Sequence, residues 1–265
     1  MDAPRVLVGV DANGVAEVVL ARPDKMNALD PAMFEALRAA IERLRGDAKV
    51  RAVVLHGEGR AFCAGLDKGS FEAIARGDGS FADLEQRTHG LANAWQQVAW
   101  GWRELPVPVV CAIQGVAYGG GLQVALGADV RCVHPDARLS VMEVQWGLVP
   151  DMAGCVFLTE LVRADVAREL VFTGRVLDGR EALALGLATR VAEDPLAEAR
   201  NLARQIAARS PDAVRAAKRL LNGASPVRAA EVLLAEAREQ QLLIGSANQL
   251  EAVKAGLQGR AAVFR

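Results

Sequence analysis

Gly57-Glu58-Gly59-Arg60-Ala61-Phe62-Cys63-Ala64-Gly65-Leu66-Asp67 follows a short apolar run at residues 50–55 that reads as a β-strand ending at Gly57. Small residues directly after a strand mark a place where something comes close to the backbone. A dinucleotide-binding fingerprint would need a third glycine where Phe62 stands, so G-x-G-x-x-G fails. Neither G-x-x-x-x-G-K-[ST] nor G-x-S-x-G occurs, which removes the usual NTPase and α/β-hydrolase signatures. Taken alone, tight strand–loop packing accounts better for this stretch than a binding site does.

Two further pieces lie downstream. In Gln114-Gly115-Val116-Ala117-Tyr118-Gly119-Gly120-Gly121-Leu122-Gln123, three consecutive glycines are costly inside a helix but tolerable in its first turn. There they would leave uncovered N–H groups at the positive end of the helix dipole, suited to an oxygen that turns negative during a reaction. Close helix packing explains a lone Gly-Gly-Gly equally well. In Leu139-Ser140-Val141-Met142-Glu143-Val144-Gln145-Trp146-Gly147-Leu148-Val149-Pro150-Asp151, Glu143 is embedded among apolar residues. Such a carboxylate is either paired structurally or held at a raised pKa for proton transfer. Asp151 could be a helix N-cap or a second acid.

Working outward, residues 5–10 and 15–20 read as strands flanking Asn13-Gly14, a dipeptide that favours the φ > 0 geometry of a tight hairpin. Asp30-Pro31 reads as an N-cap and first turn, and Phe34, Leu37, Ile41 and Leu44 give an amphipathic helix ending near Gly46. Residues 107–113, 130–133 and 138–141 read as strands. Residues 71–103 are a mixed region with Gly77 and Gly79, then a helix expected to hold Trp95 and Trp102. Asp178-Gly179-Arg180 opens a helix that ends near Gly186, Ser210-Pro211 starts another, and Ser225-Pro226 a third that runs to about Ile244. Strands separated by helical stretches imply β-α-β crossovers and a buried sheet. The composition turns all-helical near residue 195, so the chain divides into a core at 1–194 and a helical region at 195–265.

Net charge is −1 with no block of Lys and Arg, which argues against nucleic acid or an anionic membrane surface as partner. Cys63, Cys111, Cys132 and Cys155 are widely spaced with no C-x-x-C, and fit buried thiols in a reducing compartment. With three histidines and no H-E-x-x-H, a metal site is not expected. The N-terminus lacks the pattern of an export signal, so a cytoplasmic location is expected. Residues 105–128 carry no charge and are long enough to span a bilayer, yet Pro106, Pro108 and the Gly-Gly-Gly run fit a buried strand, a turn and a helix start better.

In combination, A-F-C-A-G-x-D at Ala61–Asp67, G-x-x-x-G-G-G at Gly115–Gly121 and E-x-x-x-G-L-x-P at Glu143–Pro150 resemble the crotonase superfamily, the enoyl-CoA hydratase/isomerase family. Arg22-Pro23-Asp24-Lys25-Met26-Asn27-Ala28-Leu29 is similar to its N-terminal R-P-x-x-x-N-A-L, and Phe172-Thr173-Gly174-Arg175 and Ala182 to Leu187 to its F-T-G-x and A-x-x-x-G-L. The resemblance covers nearly the whole chain. It implies an α/β fold of the ClpP/crotonase type, a spiral of β-β-α units with a C-terminal helical trimerisation region, assembled as a homotrimer or homohexamer.

It also implies an enzyme of fatty acid metabolism acting on acyl-CoA thioesters, with coenzyme A arriving as part of the substrate and no separate cofactor. By position, the backbone amides of Leu66 and Gly120 would form the oxyanion hole. Ala64, Gly65, Leu66, Asp67 and Lys68 would line the CoA and thioester channel, and Lys25 would lie near the CoA phosphates. Glu143 takes the place of the second glutamate of hydratases. Gln123 stands where the first would be and cannot exchange a proton near neutral pH. Glu143 and Asp151 match the E-V-x-x-G-L-x-x-D of the dienoyl-CoA isomerase branch, although that branch carries an aspartate where Gln123 stands. The resemblance thus implies isomerisation or hydration of enoyl-CoA. Thioester hydrolysis, decarboxylation and a non-catalytic CoA-binding oligomer are the alternatives.

Overall fold

The computed structural model describes residues 3–76, 83–224 and 228–264. Its first half runs β1 (Val6–Val10), β2 (Val15–Leu20), α1 (Pro31–Gly46), β3 (Ala52–Gly57), α2 (Lys68–Arg76), α3 (Gln97–Glu104), β4 (Val109–Ile113), β5 (Val116–Tyr118), α4 (Gly120–Leu126), β6 (Val130–Val133) and β7 (Arg138–Ser140). The second half is mostly helical: α5 (Gly154–Leu161), α6 (Ala164–Thr173), β8 (Leu177–Asp178), α7 (Gly179–Leu185), β9 (Arg190–Val191), α8 (Pro195–Ala207), α9 (Pro211–Gly223), α10 (Ala229–Leu243) and α11 (Ala247–Gln258).

A main sheet has the order β1-β2-β3-β4-β6-β9, parallel except for the β1/β2 hairpin, and a small sheet has the order β5-β7-β8. Successive strands alternate between the two: β4 enters the main sheet and β5 the small one, then β6 the main and β7 the small. This is the β-β-α spiral of the crotonase fold. β3 and β4 are buried throughout because both faces of the sheet are covered. Val53, Leu55, Val109, Cys111 and Ile113 face the core under α1, α3 and α4. Their alternates Ala52, Val54, Val110 and Ala112 pack against Ala199, Ala203 and Ala207 of α8. A stripe of alanines lets α8 lie close on the sheet, so the helix that opens the expected C-terminal region at Pro195 covers one face of the core.

Capping chemistry sets the helix starts. Asp30, Asp178 and Ser210 accept from Met33, Glu181 and Ala213 at the heads of α1, α7 and α9. Three expectations are corrected. Gly14 alone is left-handed at the hairpin, where the Asp11 carboxylate accepts the Asn13 and Val15 amides and holds a longer turn. Trp95 lies outside α3, because the Asn93 side chain accepts the Trp95 and Gln96 amides and delays the helix until Gln97. The expected strand at residues 138–141 ends at Ser140. Gly77, Gly79 and Ser225-Pro226 lie outside the described residues, and α10 is described from Ala229. The uncharged stretch at 105–128 folds as β4, β5 and α4, and no helix among the described residues is long and apolar enough to cross a membrane.

Candidate active site

Two loops meet backbone to backbone. The Cys63 amide donates to Val116 O (3.1 Å), and the Tyr118 amide donates to Cys63 O (3.0 Å). A side chain on Gly65, which sits at φ +86°, would place its Cβ 2.7 Å from Tyr118 O, and one on Gly121 would lie 2.6 Å from Cys63 O. Only glycine permits this approach. The loop is anchored from its other side by the R-P-x-x-x-N-A-L segment: buried Asn27 donates its side-chain amide to Glu58 O (3.0 Å) and Ala61 O (2.9 Å).

The meeting leaves two amides free. Leu29 donates to Gly65 O (2.8 Å) and accepts from the Asp67 amide (3.1 Å), while the Leu66 N–H between them has no acceptor among the described residues. Gly120 opens α4, so its N–H has no helical carbonyl to reach, and it too has no acceptor there. Gly119 supplies the turn, with φ 50° and ψ −124°.

Leu66 and Gly120 both line a cavity of about 560 Å³, and Lys25, Ala64, Gly65, Asp67, Lys68, Gln123, Glu143 and Asp151 line it as well. The roles divide. Lys25 and Lys68 are exposed cations. Asp67 is spoken for: it pairs with Arg22 Nη1 at 2.7 Å, and its other oxygen caps α2 by accepting the Gly69 amide at 2.8 Å. Burial raises its pKa, but Arg22 and the Gly69 amide outweigh that and hold it below the usual range. Apolar wall comes from Phe34 with Trp95 (edge to face, 4.7 Å) and from Phe71 stacked on Trp146 (4.6 Å). Trp100 and Trp102 are core residues; Trp100 stacks on Phe157.

Glu143 heads a short 3-10 turn and is buried. Its Oε1 accepts from Gln123 Nε2 at 2.6 Å, and its Oε2 has no partner among the described residues. Burial pushes this carboxyl up to about 7, against weaker lowering by its own backbone amide and Gln123. A Cβ on Gly119 would lie 3.4 Å from Glu143 Oε1, so the acid stands beside the peptide that presents the Gly120 N–H.

Gln123 is locked. Its Oε1 accepts both the Met152 amide (2.8 Å) and the Gly154 amide (3.0 Å), which forces Nε2 toward Glu143. Asp151 precedes this pair of amides. Burial, and the carboxyls of Glu236 and Glu143, push it well above the ordinary aspartate range, against lowering by its own backbone amide and by the Gln240 side chain. The site therefore holds two N–H donors without acceptors among the described residues, both on residues that line one cavity, a carboxyl pushed up to about 7, and a second raised well above the ordinary aspartate range. That set can stabilise an oxyanion, remove a proton and return one.

Residues 11–264 match the enoyl-CoA hydratase/isomerase family. The chain belongs to that family. As a crotonase it is an acyl-CoA-processing enzyme. It is 28% identical over 260 residues to the mitochondrial Delta(3,5)-Delta(2,4)-dienoyl-CoA isomerase of Dictyostelium discoideum, covering 96% of this chain and 89% of that one. The crystal structure of an enoyl-CoA hydratase/isomerase from Mycobacterium paratuberculosis superposes with a TM-score of 0.84 at 28% identity, covering 95% and 98% of the two chains. That of a carnitinyl-CoA hydratase from Mycobacterium avium gives 0.83 at 30% identity, covering 100% and 99%. Sequence reasoning missed Trp95, Trp146, Met152, Gln240 and Ile244 of the cavity wall. Gln240 lies on α10 and Ile244 just past its end, and no local motif marks them.

Proposed function

We propose that this crotonase isomerises a conjugated acyl-CoA, moving a proton along the acyl chain of a 3,5-dienoyl-CoA to give the 2,4-dienoyl-CoA. The observation that carries this reading is the locked Gln123: hydration by two carboxylates needs an acid there, and the other lining carboxyl that burial raises is Asp151. Glu143 Oε2 takes a proton from C2, and the electron pair of that C–H bond is delocalised through the C3=C4 and C5=C6 π bonds, so that the negative charge is shared by the thioester oxygen and C6. The Leu66 and Gly120 N–H groups donate to that oxygen. Asp151 gives its proton to C6, which leaves C2=C3 and C4=C5 in place of the original C3=C4 and C5=C6 and restores the carbonyl. One proton leaves C2, one arrives at C6, and exchange with solvent returns Glu143 and Asp151 to their starting states. These steps use the thioester and the chain's own residues, with no separate cofactor. Lys25 and Lys68 are the cations we assign to the CoA phosphates.

Spectrophotometric assays with 3,5-dienoyl-CoA and crotonyl-CoA test the proposal. The expected result is isomerisation of the diene with little hydration of crotonyl-CoA; hydration without isomerisation would overturn it. Asp151→Asn is expected to lower isomerisation by about 10²–10⁴-fold with acyl-CoA affinity retained. We further propose a trimer or hexamer, supported by the apolar Leu220, Leu221 and Leu242 standing about three-quarters exposed on α9 and α10 (73–74%). Light scattering on the eluting protein is expected to give three or six chain masses, and a monomer would refute the assembly.

A further inference from the structure

Four consecutive main-chain amides before and within the first turn of α5 are shared alternately between two helices. The Met152 and Gly154 amides donate to Gln123 Oε1 of α4, as described above. The Ala153 and Cys155 amides donate to Glu236 of α10, at Oε2 and Oε1 respectively, both at 2.9 Å. One turn further along α10, Gln240 Oε1 accepts the Val149 amide at 3.1 Å, and its side chain is close enough to the Asp151 carboxyl to lower its pKa. Two α10 side chains thus grip the chain on both sides of Asp151. Ala153 is held in the left-handed region, at φ 64°, with its amide on Glu236.

Glu236 is itself buried and tied from behind. Gln96 Nε2 donates to its Oε2 at 3.3 Å, and Gln96 Oε1 accepts from Arg87 Nη1 at 2.8 Å. Glu236 does not line the cavity, so it does not touch substrate. If it served only to cap α5, the arrangement would be a poor one, because it puts a second buried carboxyl close enough to Asp151 to oppose its ionisation. The same placement is well suited to holding a proton donor.

We propose that Glu236 and Gln240 are positioning residues for the reaction, through which α10 fixes where Asp151 presents its proton. The proposal rests on the reading of Asp151 as the donor to C6. Two readouts separate its parts: isomerisation of 3,5-dienoyl-CoA, and exchange of the C2 proton with D₂O followed by NMR. Exchange needs Glu143 and the two amides but not Asp151. In Glu236→Gln, one of the two amides loses its acceptor oxygen and faces an NH₂ group. The expected result is a fall in kcat for isomerisation of about 10- to 100-fold, with KM and C2 exchange within about threefold of wild type.

Gln240→Met, which leaves Glu236 in place, is expected to show the same split and serves if Glu236→Gln does not fold. Asp151→Asn should show it too. Asp151→Asn isomerising at the wild-type rate would remove the donor reading itself. Asp151→Asn showing the split while the α10 variants lose exchange and isomerisation equally, or lose only melting temperature, would overturn the positioning role.

Discussion

Glu143→Gln is expected to slow turnover by about 10²–10⁴-fold while acyl-CoA still binds. The replacement keeps the shape of the site. An amide oxygen can still accept from Gln123 Nε2, which the Met152 and Gly154 amides hold in place. What disappears is the unpartnered Oε2, the only part of the group free to take a proton. In the wild type the base form is needed, so kcat/KM is expected to rise with pH through about 7, where burial has moved this carboxyl. The same shift predicts an effect of opposite sign on stability. The folded chain holds the Glu143 proton up to about 7, whereas the unfolded chain releases it near 4.5, so its stabilising contribution is full below 4.5 and lost as pH rises through 7. Glutamine stays neutral. At pH 8 the variant is therefore expected to be more stable than the wild type, by up to about 3 kcal/mol. Steady-state kinetics across pH and melting curves at pH 6 and 8 check both halves; a variant that is fully active, or that melts earlier than wild type at pH 8, would contradict the assignment of Glu143 as a buried base.

How much of this was legible in the sequence depended on whether the cause was local. Asp30, Asp178 and Ser210 announce their helices because a cap acts within three residues of itself. The close meeting of the two glycine loops was legible for a related reason. Where backbones touch, or a peptide must turn as Gly119 does, only glycine fits, and glycine is visible in a sequence. Long-range partners left no such trace. Nothing near Asp67 shows that Arg22, 45 residues earlier, neutralises it and leaves it to cap α2. Nothing in α10 shows that Glu236 reaches amides 81 and 83 residues away. Trp95 went wrong in an instructive way: the apolar spacing around it suits a helix, but Asn93 offers its side chain to the amides that the helix would have used.

Gly119→Ala is expected to cost about 10²–10³-fold in kcat, the effect of losing one oxyanion donor. The cause would be conformational rather than steric. A methyl group at this position would meet Glu143 Oε1 at 3.4 Å, an ordinary contact. The backbone is the obstacle, because φ 50° with ψ −124° is a combination that side chains avoid at a cost of about 1–3 kcal/mol. Relieving it means rotating the 119–120 peptide, and that rotation swings the Gly120 N–H away from the cavity. Strain tolerated without rotation would appear as a lower melting temperature with turnover preserved. Relaxation would appear as lost turnover with much of the stability recovered, and the second outcome is expected because the Gly120 amide has no acceptor among the described residues to hold it in place. Gly46→Ala, at the end of α1 where a Cβ meets nothing within 4 Å, is the matching control and should leave both quantities unchanged. Full turnover in Gly119→Ala, with the peptide shown to have rotated, would mean that the thioester oxygen does not rely on Gly120.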